Sequence, residues 1–309
     1  MKREILINAT QRETRVAIIE DDQLVELLVD RPDARRMVGD IYLGRVEAVL
    51  PGIQAAFVDI GTEKSAFLHA SDLVFPEDDA EPDDGDDDDD VENGRESERG
   101  KRRRAKAPPI QDVLKRGQDL IVQVSKEPIS TKGPRVTAQV SLAGRFLVYM
   151  PFAERVGVSR KIGDREARKR LRAQVEEALP KDTGGVIVRT VGEDVTKETL
   201  ERELTTLIGQ WKRIKRKTHF VRAPSAIHRE TSLTRGLMRD VFSTKVEQVT
   251  VDSKQVHNEI LEYLKGIAPE LVDRIKLYED EQPLFDKANI EQEIRDLFKR
   301  RCDLPSGGY

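Results

Sequence analysis

The stretch of residues 44–72 constrains the fold of this chain more than any other part of the sequence. It reads GRVEAVLPGIQAAFVDIGTEKSAFLHASD, with turn residues at Pro51-Gly52 and at Gly61. Between the turns we predict three strands over residues 45–49, 54–60 and 65–69. Short strands that are rich in β-branched residues and separated by glycine-containing turns predict a small closed β-barrel rather than a helical layer.

Two phenylalanines, Phe57 and Phe67, fall on neighbouring strands of this predicted barrel. Aromatic rings on the open face of a barrel form a platform on which unpaired bases stack. The alternative is that both rings belong to the barrel core. We favour stacking because Arg45, Lys64 and Lys132 supply charge that a core would not need.

The same stretch resembles an S1-type OB-fold RNA-binding domain. Its glycines, both phenylalanines, His69 and Asp72 lie where such domains place them. His69 is the weaker candidate for an RNA contact, because a histidine at the end of a strand more often has a structural role.

The charge of the chain is unevenly distributed. The 309 residues carry a net charge of −4, yet residues 77–106 alone hold 14 acidic and 7 basic side chains, so the remainder of the chain carries +3. A segment with so few apolar residues cannot offset the entropy cost of ordering, and we predict a disordered insertion over residues 76–108. Contact of the basic run at 101–106 with RNA phosphates is the less favoured alternative.

Cysteine content and hydropathy restrict the class of protein. The single cysteine, Cys302, excludes an internal disulfide and cannot form a zinc site alone. Neither a secretion signal nor an apolar run of about 18 residues is found in the sequence, which predicts a cytoplasmic protein without a membrane segment.

Periodicity divides the chain into segments, and 309 residues correspond to about two or three domains. Residues 1–38 read as a three-stranded antiparallel meander, which cannot bury its apolar face alone. The barrel occupies 39–136, and 137–224 read as an α/β unit. Helices after residue 225 would cover the meander, so residues 1–38 and 225–298 are predicted to form one discontinuous domain that carries the other two as insertions.

Several elements are predicted within these segments. The apolar stripe of the helix over 196–217, for which Thr196 is a candidate N-cap, is interpreted as core. The other predicted helices cover residues 165–179, 233–242, 253–267 and 290–301, and the predicted strands cover 119–125, 140–150, 185–190 and 247–251.

The chain is similar, over nearly its whole length, to the ribonuclease E/G family of bacterial endoribonucleases, and closer to the ribonuclease G branch. The resemblance is carried by the motifs EILINAT, YLGRV, LPGIQAAFVDIG, AFLHASD, GQDLIVQVSKE, LAGRFLVYMP, LYEDEQPLFD and LPSGGY. It implies an α+β multidomain fold in which the discontinuous domain is RNase H-like without a working active site. The S1 domain would bind RNA, the α/β unit would be the 5′ sensor, and residues 299–309 would begin a DNase I-like subdomain.

The resemblance also implies two sets of site residues. A pocket for a 5′-monophosphate would consist of Gly144, Val148, Arg160, Arg189 and Thr190. A terminal monophosphate suits an arginine fork, a hydroxyl and backbone N–H donors, and a closed pocket would reject a triphosphate. The alternative is that Arg160 and Arg189 only form surface ion pairs. RNA near the cleavage site would contact Phe57, Phe67, Lys132 and, with less support, His69.

Catalysis in the family uses two aspartates that bind Mg²⁺, and a cysteine-rich zinc link joins its subunits. Oxygen ligands of that type suit a hard cation that activates water. Both features are expected beyond Tyr309, so residues 1–309 alone are predicted to bind single-stranded RNA with a 5′-monophosphate, without cutting it and without a metal. Homo-oligomers are expected only with the further C-terminal region.

The parent enzyme would, by resemblance, cut single-stranded RNA in mRNA decay and rRNA processing. The alternative is a non-catalytic RNA-binding protein that has lost the nuclease portion.

Overall fold

The computed structural model describes residues 2–31, 36–73, 109–230, 232–242, 246–301 and 306–308. The predicted insertion at 76–108 and Cys302 lie outside the described residues. The chain divides into two compact units. Unit 1 consists of Met1–Arg36 and Thr231–Tyr309, and unit 2 of Met37–Glu230.

The strands and helices are numbered in chain order. The strands are β1 (Arg3–Ala9), β2 (Thr14–Glu20), β3 (Gln23–Asp30), β4 (Ile41–Leu50), β5 (Ala55–Asp59), β6 (Ala66–His69), β7 (Asp119–Lys126), β8 (Arg135–Thr137), β9 (Leu142–Ala143), β10 (Leu147–Met150), β11 (Val156–Val158), β12 (Gly185–Val188), β13 (Ser225–His228), β14 (Val246–Val251) and β15 (Ile275–Leu277). The α-helices are α1 (Ile110–Val113), α2 (Arg165–Ala178), α3 (Lys197–Thr218), α4 (Leu233–Asp240), α5 (Lys254–Ile267), α6 (Leu284–Lys287) and α7 (Ile290–Leu297).

Unit 1 contains a five-stranded sheet in the order β15-β14-β1-β2-β3. Strand β2 pairs antiparallel with both β1 and β3, whereas β14 is parallel to both β1 and β15. Successive side chains of a strand point to opposite faces of the sheet. Ile5 and Ile7 therefore pack with residues of α4 and α5, and Leu6 packs with Phe285 of α6. Helices from the last third of the chain thus cover the meander, which cannot bury its faces alone.

The barrel of unit 2 is formed by five strands in the order β4-β5-β6-β8-β7, and pairing between β4 and β7 closes it. The closed OB-like barrel predicted from the sequence is confirmed. Its interior is filled by apolar side chains such as Val46, Val58, Leu68, Val122 and Val136, all nearly inaccessible to solvent.

The rest of unit 2 is a four-stranded sheet in the order β11-β12-β10-β9, with α2 and α3 packed on one face. The stripe of α3 predicted as core is buried, and Thr196 occupies its N-cap position. The continuous strand predicted over 140–150 is wrong, because residues 144–146 leave the sheet between β9 and β10. The backbone N–H groups of residues 145–147 donate to a side chain of α3, as described below.

Three short strands of unit 2, β8, β11 and β13, were not predicted, and β8 pairs parallel with β6 and antiparallel with β7. Strand β11 pairs parallel with β12, and β13 pairs antiparallel with the first residues of β4. Residues 225–298 are predicted to belong to the discontinuous domain, whereas β13 lies in the unit that contains the barrel.

Candidate nucleic-acid interface

The two phenylalanines of the barrel lie side by side on its outer face. Phe57 of β5 pairs directly with Phe67 of β6, and their ring centroids are 6.2 Å apart with an interplanar angle of 69°. Phe57 is 37% exposed and Phe67 is half-buried, while their neighbours along the strands point into the barrel. The alternative that both rings belong to the barrel core is therefore wrong.

Two lysines are brought next to this aromatic face by a close approach of backbone. A Cβ atom at Gly133 would lie 2.1 Å from the carbonyl oxygen of Ser65 and 3.2 Å from that of Lys64, so only glycine fits there. The turn that carries Lys132 is thereby pressed against the loop that carries Lys64. Both lysines are exposed, and among the described residues neither ammonium has a hydrogen-bond or ion-pair partner.

Arg45, the third cation of the sequence prediction, is engaged elsewhere. Its guanidinium donates to both carboxylate oxygens of Asp119 at 2.7 and 3.1 Å. Hydrogen bonding from Arg45 lowers the pKa of Asp119. Arg45 therefore belongs to an exposed ion pair between β4 and β7.

His69 has a structural role in the barrel. It caps a short 3-10 helix, because its Nδ1 accepts the backbone N–H of Ser71 at 3.2 Å and lies 2.8 Å from the Ser71 hydroxyl. The same ring is half-buried and lies on the outer face of β6, two residues after Phe67. The imidazole is held at the border of the aromatic face.

The proposed sensor residues gather where two parallel strands end. Val158 of β11 pairs with Val188 of β12, so the residues after each strand emerge at the same edge of the sheet. This sensor edge carries Arg160 after β11, and Arg189 and Thr190 after β12. The hydroxyls of Ser159 and Thr190 are 2.9 Å apart and tie the two chain segments together.

Gly144 reaches the same edge from the other side, because β10 runs antiparallel to β12. Arg189 Nη1 donates to the carbonyl oxygen of Gly144 at 2.8 Å, and the backbone N–H of Arg189 donates to Phe146 at 2.7 Å. Val148 lies one residue into β10 and pairs with Ile187 on the sheet face opposite the helices. Four of the five predicted residues thus share the edge, and Val148 lies beside it.

Glu203 of α3, which the sequence reasoning missed, holds the loop that carries Gly144. Its carboxylate accepts the backbone N–H groups of Arg145 at 2.6 Å, and of Phe146 and Leu147 at 2.9 Å each. A Cβ atom at residue 144 would lie 2.7 Å from the Glu203 carboxyl carbon, so the loop requires glycine there. One signal in the sequence could have identified Glu203, because this acid lies on the apolar side of α3, three residues after the buried Leu200.

The ionisation of Glu203 is shifted by its surroundings. Burial raises the pKa of this carboxyl, whereas the three backbone N–H groups and the charge of Arg189 act in the opposite direction. Hydrogen bonds and charge therefore link the loop, the Glu203 carboxyl and the Arg189 guanidinium at the sensor edge.

Sequence comparison agrees with this architecture. A model of the Ribonuclease E/G family matches residues 141–309, more than half of the chain. The chain belongs to the ribonuclease E/G family. The family predicted from the sequence motifs is thereby confirmed.

Relatives of both branches match nearly the whole chain. Ribonuclease G of Haemophilus influenzae is 39% identical over 306 residues, covering 99% of this chain and 59% of the relative. Ribonuclease G of Escherichia coli K12 is 36% identical over 309 residues, covering 100% and 60%. Ribonuclease E of Haemophilus influenzae is 36% identical over 317 residues, covering 100% of this chain and 31% of the relative. The chain thus spans about three fifths of the ribonuclease G relatives, and the predicted closer likeness to that branch is confirmed.

In the described ranges of the chain, no group of three or more His, Cys, Asp or Glu side chains is arranged to hold a metal ion. No helix in these ranges is both long and apolar enough to cross a bilayer.

Proposed function

We propose that this chain is the RNA-binding and 5′-monophosphate-sensing part of an endoribonuclease of the E/G type that cuts single-stranded RNA. The observation that carries the proposal is the solvent-facing pair of Phe57 and Phe67 on a closed OB-like barrel in a member of a ribonuclease family. The sensor edge, which contains Arg160, Arg189 and Thr190, belongs to the same compact unit.

The aromatic face binds the strand through its bases. Phe57 presents the more exposed ring, and the 69° angle between the rings leaves it open for one base to stack. Lys64 and Lys132 supply positive charge for the adjoining phosphates. Stacking and phosphate contacts together bind single strands with little sequence preference, because every base has a flat face.

The sensor edge binds the 5′ end of the strand. A guanidinium presents a rigid fork of N–H donors that matches two phosphate oxygens, and Arg189 is fixed in place by the carbonyl oxygen of Gly144. Thr190 adds a hydroxyl and Arg160 a second cation. A 5′-hydroxyl end offers no charge to these groups, so RNA that carries a 5′-monophosphate binds more tightly.

The remaining parts of the proposal concern the parent enzyme. The order β3-β2-β1-β14-β15, with β1 parallel to β14, supports an RNase H-like fold for unit 1. Cleavage in mRNA decay and rRNA processing, the Mg²⁺ that serves it, and assembly through a zinc link belong to the longer family enzyme.

Replacement of Phe57 tests the RNA-binding role of the aromatic face. Phe57→Ala weakens the binding of a 5′-hydroxyl single-stranded RNA by about 1–3 kcal/mol, the value of one base stacked on an aromatic ring. Phe57→Tyr keeps the ring and is the matched control. Titration of both folded variants measures the effect, and an unchanged affinity of Phe57→Ala would remove Phe57 from the interface.

A further inference from the structure

The end of α3 and the loop after it form a strongly basic surface next to the barrel. Residues 212–222 read KRIKRKTHFVR and contain six Lys or Arg residues but no Asp or Glu. We call these residues the α3 terminal surface. Phe220, near its end, is 81% exposed. The exposed cations of the surface are Lys212, Arg213, Lys215, Arg216, Lys217 and Arg222.

This surface is anchored rather than loosely attached. Trp211 and Ile214 are buried in the core of the α/β sheet. Lys217 Nζ donates to the carbonyl oxygens of Ala226 at 3.4 Å and Ile227 at 3.0 Å, which links the end of α3 to β13. Since β13 pairs with β4, the α3 terminal surface has a fixed position relative to the barrel.

The chain just after this surface contacts the turn that follows β5. Pro224 lies beside Gly61, because a Cβ atom at Gly61 would be 3.8 Å from the Pro224 Cβ. Gly61 follows Phe57 by four residues, a distance of roughly 13 Å along an extended strand. The carboxylate of Asp59, between them, accepts the backbone N–H of Gly61 at 2.9 Å. An RNA strand that runs from Phe57 along β5 would therefore reach the segment that directly follows the α3 terminal surface.

We propose that this surface is a second single-stranded RNA site, with a base stacked on Phe220 and phosphates bound by Lys215, Arg216 and Arg222. The inference rests on the proposed RNA-binding function of the barrel and extends it. One exposed ring in a segment that contains six Lys or Arg residues and no Asp or Glu suits a polyanion with flat bases. A protein partner would instead require a wider apolar patch, because charged residues are depleted in the centre of protein interfaces.

The test uses 5′-hydroxyl RNA, so that the sensor edge does not contribute. Two lengths are compared, roughly 4 and 16 nucleotides, the extremes bound by one OB-fold. Phe220→Ala weakens binding of the longer RNA roughly 5- to 150-fold and leaves the shorter one unaffected. Phe220→Tyr retains the affinity, and Phe298→Ala, which removes a ring that is 85% exposed in unit 1, is the matched control.

The charge of the surface is tested in parallel. Lys215→Gln combined with Arg216→Gln lowers the salt dependence of binding to the longer RNA. The pair Lys169→Gln and Arg172→Gln, which removes two exposed charges from α2 of the same unit, leaves that dependence unchanged.

Three results would overturn the inference. The first is an effect of Phe220→Ala on binding of the longer RNA that is no larger than the effect of Phe298→Ala. The second is an equal loss of affinity for both RNA lengths. The third is an equal salt dependence of binding for the two double variants that remove charge. Failure of the barrel proposal is distinguishable, because it appears as an unchanged affinity of Phe57→Ala for the shorter RNA.

Discussion

Arg189 links two parts of the sensor edge, since its side chain donates to Gly144 and its backbone to Phe146. Arg189→Ala removes the guanidinium fork, so the preference for a 5′-monophosphate over a 5′-hydroxyl end is lost while affinity for the 5′-hydroxyl RNA is nearly unchanged. Arg189→Lys, which keeps the charge but not the fork, retains part of the preference. Competition between the two RNAs measures this, and an equal loss for both ends would contradict the assignment.

Single residues show how far the sequence alone could lead. The spacing of Phe57 and Phe67 on adjacent short strands was enough to predict that the rings are neighbours. It could not predict that Arg45 pairs with Asp119, since the partner lies 74 residues away in the sequence. Glu203 was missed for a similar reason, because its three hydrogen bonds are to the backbone of a distant loop, which side-chain patterns do not report.

At the scale of elements, the loop between β9 and β10 depends on the absence of a side chain at residue 144. Gly144→Ala forces the Glu203 carboxylate to move, and we expect a loss of about 1–3 kcal/mol in the free energy of unfolding, typical of overpacking. Preference for a 5′-monophosphate falls with it, because the carbonyl that holds Arg189 shifts.

The matched control lies on α3. A Cβ atom at Gly209 meets nothing within 4 Å, so Gly209→Ala stabilises the helix by about 0.5–1 kcal/mol. Denaturant unfolding of both variants measures these changes. A Gly144→Ala variant as stable as the unmodified chain would show that Glu203 does not hold the loop tightly.

The contact between α3 and this loop also predicts a pH dependence. Burial raises the pKa of Glu203 above its usual 4.5, so the folded state favours the neutral carboxyl. The contribution of this group to stability is therefore fully present below the unfolded-state pKa and lost as the pH rises through the folded-state pKa. Glu203→Gln lacks this dependence, so the stability of the unmodified chain relative to the variant falls across that window. Unfolding measured at several pH values tests it, and a relative stability that rises with pH would contradict it.

Elements differ in how well local sequence determines them. The helix α3 was predicted within one residue, because a 22-residue helix displays its apolar stripe over six turns. Strands β11 and β13 contain three and four residues, too few for a period to appear. They exist because β12 and β4 supply hydrogen-bond partners, and that information is not local.

At the scale of the whole molecule, the sequence predicted a meander that needs a helical cover and a barrel interrupted by a charged segment. The structure provides α4 and α5 on one face of the sheet and α6 and α7 on the other. The division within unit 2 was less predictable, since residues 225–228 continue the barrel sheet after an intervening α/β unit of about 80 residues. Such pairing depends on the tertiary arrangement of β4, whose first residues extend beyond its contact with β5.

The most direct test of the account is a titration of this chain with one single-stranded RNA prepared with either a 5′-monophosphate or a 5′-hydroxyl end. If the aromatic face binds the strand and the sensor edge binds its 5′ end, both RNAs bind, both weaken with salt, and the monophosphate form binds more tightly. Equal affinity for the two RNAs would contradict the sensing claim, and the absence of binding by either would contradict the account as a whole.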